Sequence, residues 1–195
     1  MITLIIFLSA VILIYISNMI VFYNTYSWWV ISLLVIGAVV GMVLVNAIIA
    51  IVTCKMLPDK WYSMNKKIFM VSKKEIKFYE KIGIKKWKDK TAELGALNGF
   101  KKDKIVNFDD PEYVKKFILE TNKGFIDHFI SMIVSIIVAF IMPIKFWFVL
   151  SIPVAITSVI LNLISVVVLR YNMPRLRTLL KFAERKQSNQ NPINK

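Results

Sequence analysis

One short stretch of the chain gathers groups that can move a proton: Glu120, Lys123, Asp127 and His128. On a helix, residues three, four and seven apart share a face, which joins Glu120, Lys123 and Asp127. His128 lies about 80° round the axis from Glu120, close enough to border the same groove. It is the only histidine in the sequence. A neutral imidazole takes a proton from a hydroxyl near neutral pH, and a carboxylate beside it can hold its tautomer and stabilise the imidazolium. His128 is therefore the candidate general base, with Glu120 or Asp127 as the candidate orienting acid. The plainer reading is a group of side chains solvated at headgroup level, with Lys123 and Asp127 as an ordinary helical ion pair.

Two basic clusters accompany this stretch. Arg170, Tyr171, Asn172 and Arg175 follow the last apolar run, and Lys85, Lys86, Trp87 and Lys88 lie mid-chain. Guanidinium forks match phosphate and carboxylate oxygens. Their plainer roles are a basic anchor and helix cap in one case and headgroup binding in the other. No metal site is expected, because one histidine and one cysteine, Cys54, cannot build the usual ligand set. No phosphate-cradling glycine loop is present. The acyltransferase arrangement with an aspartate shortly after the histidine is also missing, since Ile133 stands there. The lone cysteine excludes an intramolecular disulfide; it reads as a small interfacial residue, with palmitoylation as the alternative.

The elements that must position these groups are written in hydropathy. The chain is 57% hydrophobic, above the 45–50% or so usual for soluble domains, and the excess sits in four runs. They cover residues 2–23, 28–53, 125–143 and 146–169, each long enough to cross roughly 30 Å of hydrocarbon as a helix. The fold class expected is all-α: an integral membrane protein of four transmembrane helices in two hairpins. A basic helical or interfacial segment, 54–124, separates spans two and three, and a basic tail follows from 170. The net charge of +14 concentrates in that segment and tail, whereas the loop between the first two runs has no Lys or Arg. Positive loops stay inside, so segment, tail and both termini are expected in the cytoplasm. Residues 1–23 lack the basic start of a secretory signal and read as a retained span. The basic charge is explained by anionic headgroups, so nucleic acid is not an expected partner. Gly37 and Gly41 form a small-residue pattern that is common by chance.

Local signals divide the rest. Pro58 turns the chain away from the second span, and residues 60–69 mix aromatics with lysines as membrane-surface segments do. Ser72-Lys73-Lys74-Glu75 fits a capping box that starts a helix ending near Gly83. Residues 84–90 read as an interfacial piece anchored by Trp87, and Leu97-Asn98-Gly99-Phe100 as a turn. Asp110 and Pro111 open a helix that should run unbroken to Pro143. Asn172-Met173-Pro174-Arg175 should interrupt the fourth span, followed by an amphipathic helix to Lys186 with Leu176, Leu179, Leu180 and Ala183 on one side, and a frayed end from Gln187.

Four pieces, in order, carry a resemblance: Leu57-Pro58-Asp59-Lys60; Ile84-Lys85-Lys86-Trp87-Lys88-Asp89-Lys90; Glu120-Thr121-Asn122-Lys123-Gly124-Phe125-Ile126-Asp127-His128-Phe129; and Arg170-Tyr171-Asn172-Met173-Pro174-Arg175-Leu176. Over residues 57 to about 186 the chain resembles the glycosyl-4,4'-diaponeurosporenoate acyltransferase family of staphyloxanthin-type carotenoid pathways. The resemblance implies transfer of a fatty acyl group to a sugar hydroxyl on a membrane glycolipid. Glu120 and His128 match the family's Glu-Thr…His pattern, Trp87 and Lys88 its Lys-Trp-Lys pattern, and Arg170, Asn172, Pro174 and Arg175 its final motif. Two departures stand out. Lys123-Gly124-Phe125 replaces Arg-Ala-Glu, removing a carboxylate that Asp127 could replace from another face, and Met173 replaces an arginine.

Together these readings give an enzyme of a bacterial cell membrane with its site at the cytoplasmic leaflet. His128 is the base. Lys86, Trp87, Lys88, Lys123, Arg170, Asn172 and Arg175 are the candidate contacts for substrate and donor. The donor expected is acyl-CoA or an acyl-carrier protein, with no bound cofactor, and the partners are membrane lipids and neighbouring pathway enzymes. The competing reading is a non-enzymatic lipid-binding or scaffold protein. A transporter is disfavoured by the lack of ionisable residues deep in spans one, two and four.

Overall fold

In lipid every backbone polar group must be satisfied internally, which favours helices for long apolar runs. The computed structural model, which describes residues 2–91 and 107–190, has helices and no strands among those residues. The Leu97–Phe100 turn lies outside them. The main helices are α1 (Ile2–Phe22), α2 (Trp28–Ile51), α3 (Lys73–Lys81), α4 (Ile84–Trp87), α5 (Pro111–Val138) and α6 (Ile152–Gln190). Four helical stretches are long and apolar enough to cross a membrane: Ile2–Phe22, Trp28–Met56, Pro111–Val138 and Ile144–Asn189. On α1 and α2 most large apolar side chains are exposed, among them Leu8, Ile12, Leu13, Leu33, Ile36 and Leu44. Exposure of that kind is unfavourable in water and costless against lipid tails.

α5 and α6 run side by side. Val114, Phe117 and Ile118 of α5 pack on Met173, Leu176 and Leu180 of α6. Nearer the opposite end, α1, α2, the end of α5 and the start of α6 share a cluster built on Ile14, Ile31, Val35, Ala139, Leu150 and Val154. The two short connections lie at one end of the molecule, where Lys145 donates to the Tyr26 hydroxyl at 2.6 Å and Phe22 packs on Phe146 with ring centroids 5.4 Å apart. A π-helical turn at Trp147–Ser151 precedes α6. Asn18, 2% exposed, donates to the carbonyl of Val149 in that turn at 2.7 Å, which ties α1 to α6.

Several boundaries differ from the sequence expectation. α2 continues through a π-helical turn, Val52–Met56, past residue 53. α5 starts as expected, with Asp110 accepting from the Glu112 N–H at 2.9 Å and Pro111 in its first turn. It stops at Val138 instead of Pro143: Pro143 has no N–H to return to the carbonyl four residues back, and the chain must reverse. The expected break at 172–175 does not occur: α6 passes through Pro174 without interruption. A proline inside a helix costs about 3 kcal/mol. Here Met173 on one side of it and Leu176 and Leu180 on the other are 4–6% exposed against α5, and burying side chains of this kind is worth roughly 1.5–3 kcal/mol each. Tertiary packing therefore outweighs the local defect. Ala183 is fully buried on the same expected face, with Leu179 partly so.

At α3 the capping box forms and is shared. Ser72 accepts from the Glu75 N–H at 3.1 Å, the backbone N–H of Ser72 acts in return on the Glu75 carboxylate, and that carboxylate also pairs with Arg170. Gly83, at φ 72°, ends the helix in the left-handed region that glycine enters without a Cβ clash. Ser72→Ala should cost α3 about 1 kcal/mol, read as roughly fivefold faster exchange of the Glu75 amide.

Candidate active site

The acidic end of the site begins where the chain leaving α2 crosses α5. Lys123, 8% exposed, is held between Asp59 at 2.8 Å and Glu120 at 3.0 Å. Asp59 belongs to the Leu57-Pro58-Asp59-Lys60 piece, so the first and third of the four sequence pieces meet here. Asn122, fully buried on the neighbouring face, donates to the carbonyl of Tyr62 at 2.8 Å. Tyr62 donates in turn to the carbonyl of Thr53 at 2.5 Å, in the π-helical turn. Burial raises the Tyr62 phenol above its ordinary range, with the charges of Cys54 and Asp127 adding and Lys123 opposing. These contacts strap residues 57–62 across the middle of α5.

The Glu120 pair is the sheltered half of the Lys123 cluster, with Glu120 14% exposed, whereas Asp59 is 67% exposed. Lys123→Met should therefore cost on the order of 2–3 kcal/mol by taking the cation from the sheltered Glu120, and Asp59→Asn less than about 1 kcal/mol. Thermal unfolding of the detergent-solubilised variants checks both.

One turn further along α5, Thr53 approaches Asp127 at 3.5 Å. The imidazole of His128 is half-buried, and its Nδ1 lies 2.8 Å from Oδ1 of Asn162 on α6. Its hydrogen-bond partner among the described residues is thus an amide, not the carboxylate expected from the sequence. Glu120 lies eight residues away, about 12 Å along the helix axis, too far to touch the ring. Beyond Asn162 the polar contacts continue into the spans: Asn46 of α2 and Ser135 of α5 both meet the Ser158 hydroxyl, at 3.0 and 2.8 Å.

Arg170 lies two turns beyond Asn162 on α6, and its guanidinium is engaged on every side. It grips both oxygens of Glu75 through Nε and Nη2 and donates to the carbonyls of Ile68 at 2.8 Å and Met70 at 3.1 Å. That uses four of its five N–H donors, and Cζ also lies 5.0 Å from the Phe125 ring centroid. Most of the guanidinium expected to contact phosphate is thus committed to the protein itself. Arg177 holds the same segment through the carbonyls of Met64 and Phe69. The Arg170 hydrogen bond is the main reason the Glu75 carboxyl sits below its usual range, helped by Tyr79 and opposed by burial. Burial and Glu75 together push the Tyr79 phenol up to about 12.

The mid-chain basic cluster does reach the α6 motif. Trp87 packs with Tyr79, Ile84, Tyr171 and Val167. Glu80 sits between Lys85, at 2.7 Å, and the Tyr171 hydroxyl, at 3.5 Å, while Arg175 stacks on the Tyr171 ring at 4.9 Å. Lys88 pairs with Asp89 at 3.0 Å. Lys86 and Arg175 are exposed and Asn172 is half-buried. Along α6 the candidate residues therefore follow one another, with Asn162 and its partner His128 first, Arg170 two turns on, and Arg175 last.

Asn162, Glu75 and Tyr62 are structural members of the site that the sequence reading passed over. Asn162 had a visible signal, as an amide inside an apolar run. The others are ordinary residues until their partners, distant in sequence, are known.

No curated protein and no solved structure matches the chain. The sequence pattern of the glycosyl-4,4'-diaponeurosporenoate acyltransferases matches residues 58–182. The match takes in the Lys123 cluster, His128, Asn162 and the whole line of basic residues along α6. It covers well over half of the chain, nearly the stretch over which the four sequence pieces extend, and the chain belongs to the glycosyl-4,4'-diaponeurosporenoate acyltransferase family.

Proposed function

We propose that this acyltransferase moves a fatty acyl group from a thioester donor onto a sugar hydroxyl of a glycosylated membrane lipid, a glycosyl carotenoid or a close analogue, with His128 as general base. The observation that carries this reading is the position of the sole imidazole: half-buried on the family-matched α5, a helix long and apolar enough to cross a membrane, and hydrogen-bonded among the described residues through one ring nitrogen. Ionisable groups in that position are costly and are retained for function. The ring takes the hydroxyl proton as the oxygen attacks the thioester carbonyl. The C–S bond then breaks, the thiolate receives the proton, and an ester and a free thiol result.

The topology that serves this reaction is two hairpins in a bacterial cell membrane, with the basic segment and both termini in the cytoplasm. Lys86, Lys88 and Arg175, with Asn172 beside them, face the donor, either the phosphates of acyl-CoA or the prosthetic arm of an acyl-carrier protein. Trp87 anchors that face. Arg170 holds the 64–75 strap in place instead of touching the donor, and Lys123 with Glu120 fixes the turn at Asp59. Asp127, which precedes His128 in the chain and is turned towards Thr53, supplies negative charge as the imidazolium forms. Phe129 and Ile133, which flank the ring on α5 and are 42% and 48% exposed, offer a lipid-facing surface for acyl chain and acceptor.

The test is reconstitution of the purified protein in lipid nanodiscs with a glycosyl carotenoid and labelled acyl-CoA or acyl-carrier protein. Mass spectrometry should find the acylated sugar with one of the two donors. No ester with either donor, together with an unchanged lipid profile in cells lacking the gene, would favour the scaffold reading instead.

A further inference from the structure

We propose that Asn162 is a positioning residue that fixes His128 as the tautomer protonated on Nδ1, leaving the Nε2 lone pair as the base; this rests on the catalytic reading of His128. The argument is an accounting of protons. Ser135 Oγ donates to the carbonyl of Ser131 at 2.7 Å, so its single proton is committed. Ser158 Oγ, 2.8 Å from Ser135 Oγ, must then donate to it. With its own proton used, Ser158 Oγ accepts from Asn46 Nδ2 at 3.0 Å and distantly from Asn162 Nδ2 at 3.4 Å. Asn162 Nδ2 makes its main bond to the Ser158 carbonyl at 2.9 Å. Turning that amide over would set its oxygen against this carbonyl, two acceptors facing each other where no bulk water can relieve them.

The Asn162 oxygen is therefore fixed towards the imidazole, and an amide oxygen only accepts. At 2.8 Å from it, Nδ1 must carry the hydrogen. A neutral ring has one N–H, so the lone pair falls on Nε2. The chain thus uses an amide on α6, locked by hydroxyls of α5 and α6 and by an amide of α2, for the orienting task that a carboxylate performs in many hydrolases. An amide brings no second charge into the bilayer, where charge is expensive.

Because the chain has one histidine, 15N-histidine labelling gives ring-nitrogen signals from one residue without assignment. In alkaline buffer the nanodisc-embedded protein should show a protonated Nδ1 and an unprotonated Nε2. Asn162→Leu should redistribute the proton between the two nitrogens and lower kcat roughly 10- to 100-fold, with the donor KM unchanged. Ser158→Ala, which loosens the amide without removing it, should shift both readouts in the same direction by less. A wild-type ring protonated on Nε2 overturns the proposal even if no variant folds. So does an Asn162→Leu protein with wild-type ring signals and turnover. If His128→Gln keeps its turnover, the catalytic reading fails, and the ring signals still judge the tautomer separately.

Discussion

His128→Gln should lower acyl transfer by about 10²–10⁴-fold, the range that a positioned general base contributes, with the protein still inserted and folded. Glutamine is the useful replacement because its amide N–H can still meet the Asn162 oxygen, so the contact between α5 and α6 keeps a donor while the base is lost. The measurement is initial rate with labelled donor, beside a size-exclusion profile that reports folding. Turnover within a few-fold of the unmodified protein would end the catalytic assignment, since no other imidazole can take its place. The carboxylates are separable in the same assay. Asp127→Asn should slow turnover, because it removes the negative charge on the residue that precedes His128. Glu120→Gln should act mainly on stability, because Glu120 serves Lys123 at 3.0 Å and lies about 12 Å along the helix from the ring. A Glu120 variant that is stable but inactive would move the catalytic acid to that position.

The sequence signals that proved readable were local ones. The apolar runs mark the four long helices because a stretch of that length and hydropathy satisfies its backbone internally as a helix. Asp110 and Ser72 both cap helices where their side chains predict, and Gly83 stops α3 as a glycine should. What escaped depends on helix rotation and on partners far away. Glu75 is legible as the second half of a capping box, but nothing local announces its two charge-assisted bonds to Arg170, 95 residues on. Pro174 looks like a break, yet packing on both sides carries α6 through it. The candidate base was legible as the sole histidine. Its true partner was not, because 34 residues and a chain reversal separate Asn162 from it, and because a carboxylate on the same helix was the simpler guess.

The pair of Glu75 and Arg170 makes the second large prediction. Both side chains are mostly sheltered, at 22% and 18% exposed; removing one leaves the other with a charge that little water can reach. A double-mutant cycle with Glu75→Gln and Arg170→Met should return a coupling on the order of 2–3 kcal/mol, and each single change should speed amide exchange across α3. Arg170→Lys should rescue little, since an ammonium cannot reproduce the fork to Glu75 and the bonds to the Ile68 and Met70 carbonyls together. The pH dependence follows from the lowered Glu75 carboxyl. A carboxyl whose folded value is depressed contributes stability above its unfolded value, near 4.3 or so, and loses it as pH falls through the folded one. Attachment of α3 should therefore hold steady from neutral pH down to ordinary carboxylate titration and fail only in stronger acid. A coupling below about 0.5 kcal/mol would place the pair among exposed ion pairs of little consequence. The same variants decide what Arg170 does in the enzyme. If it binds donor phosphates, Arg170→Met raises the donor KM and leaves α3 exchange as it was. If it holds the strap over the end of α5 and α6, exchange across α3 rises first and activity falls with it.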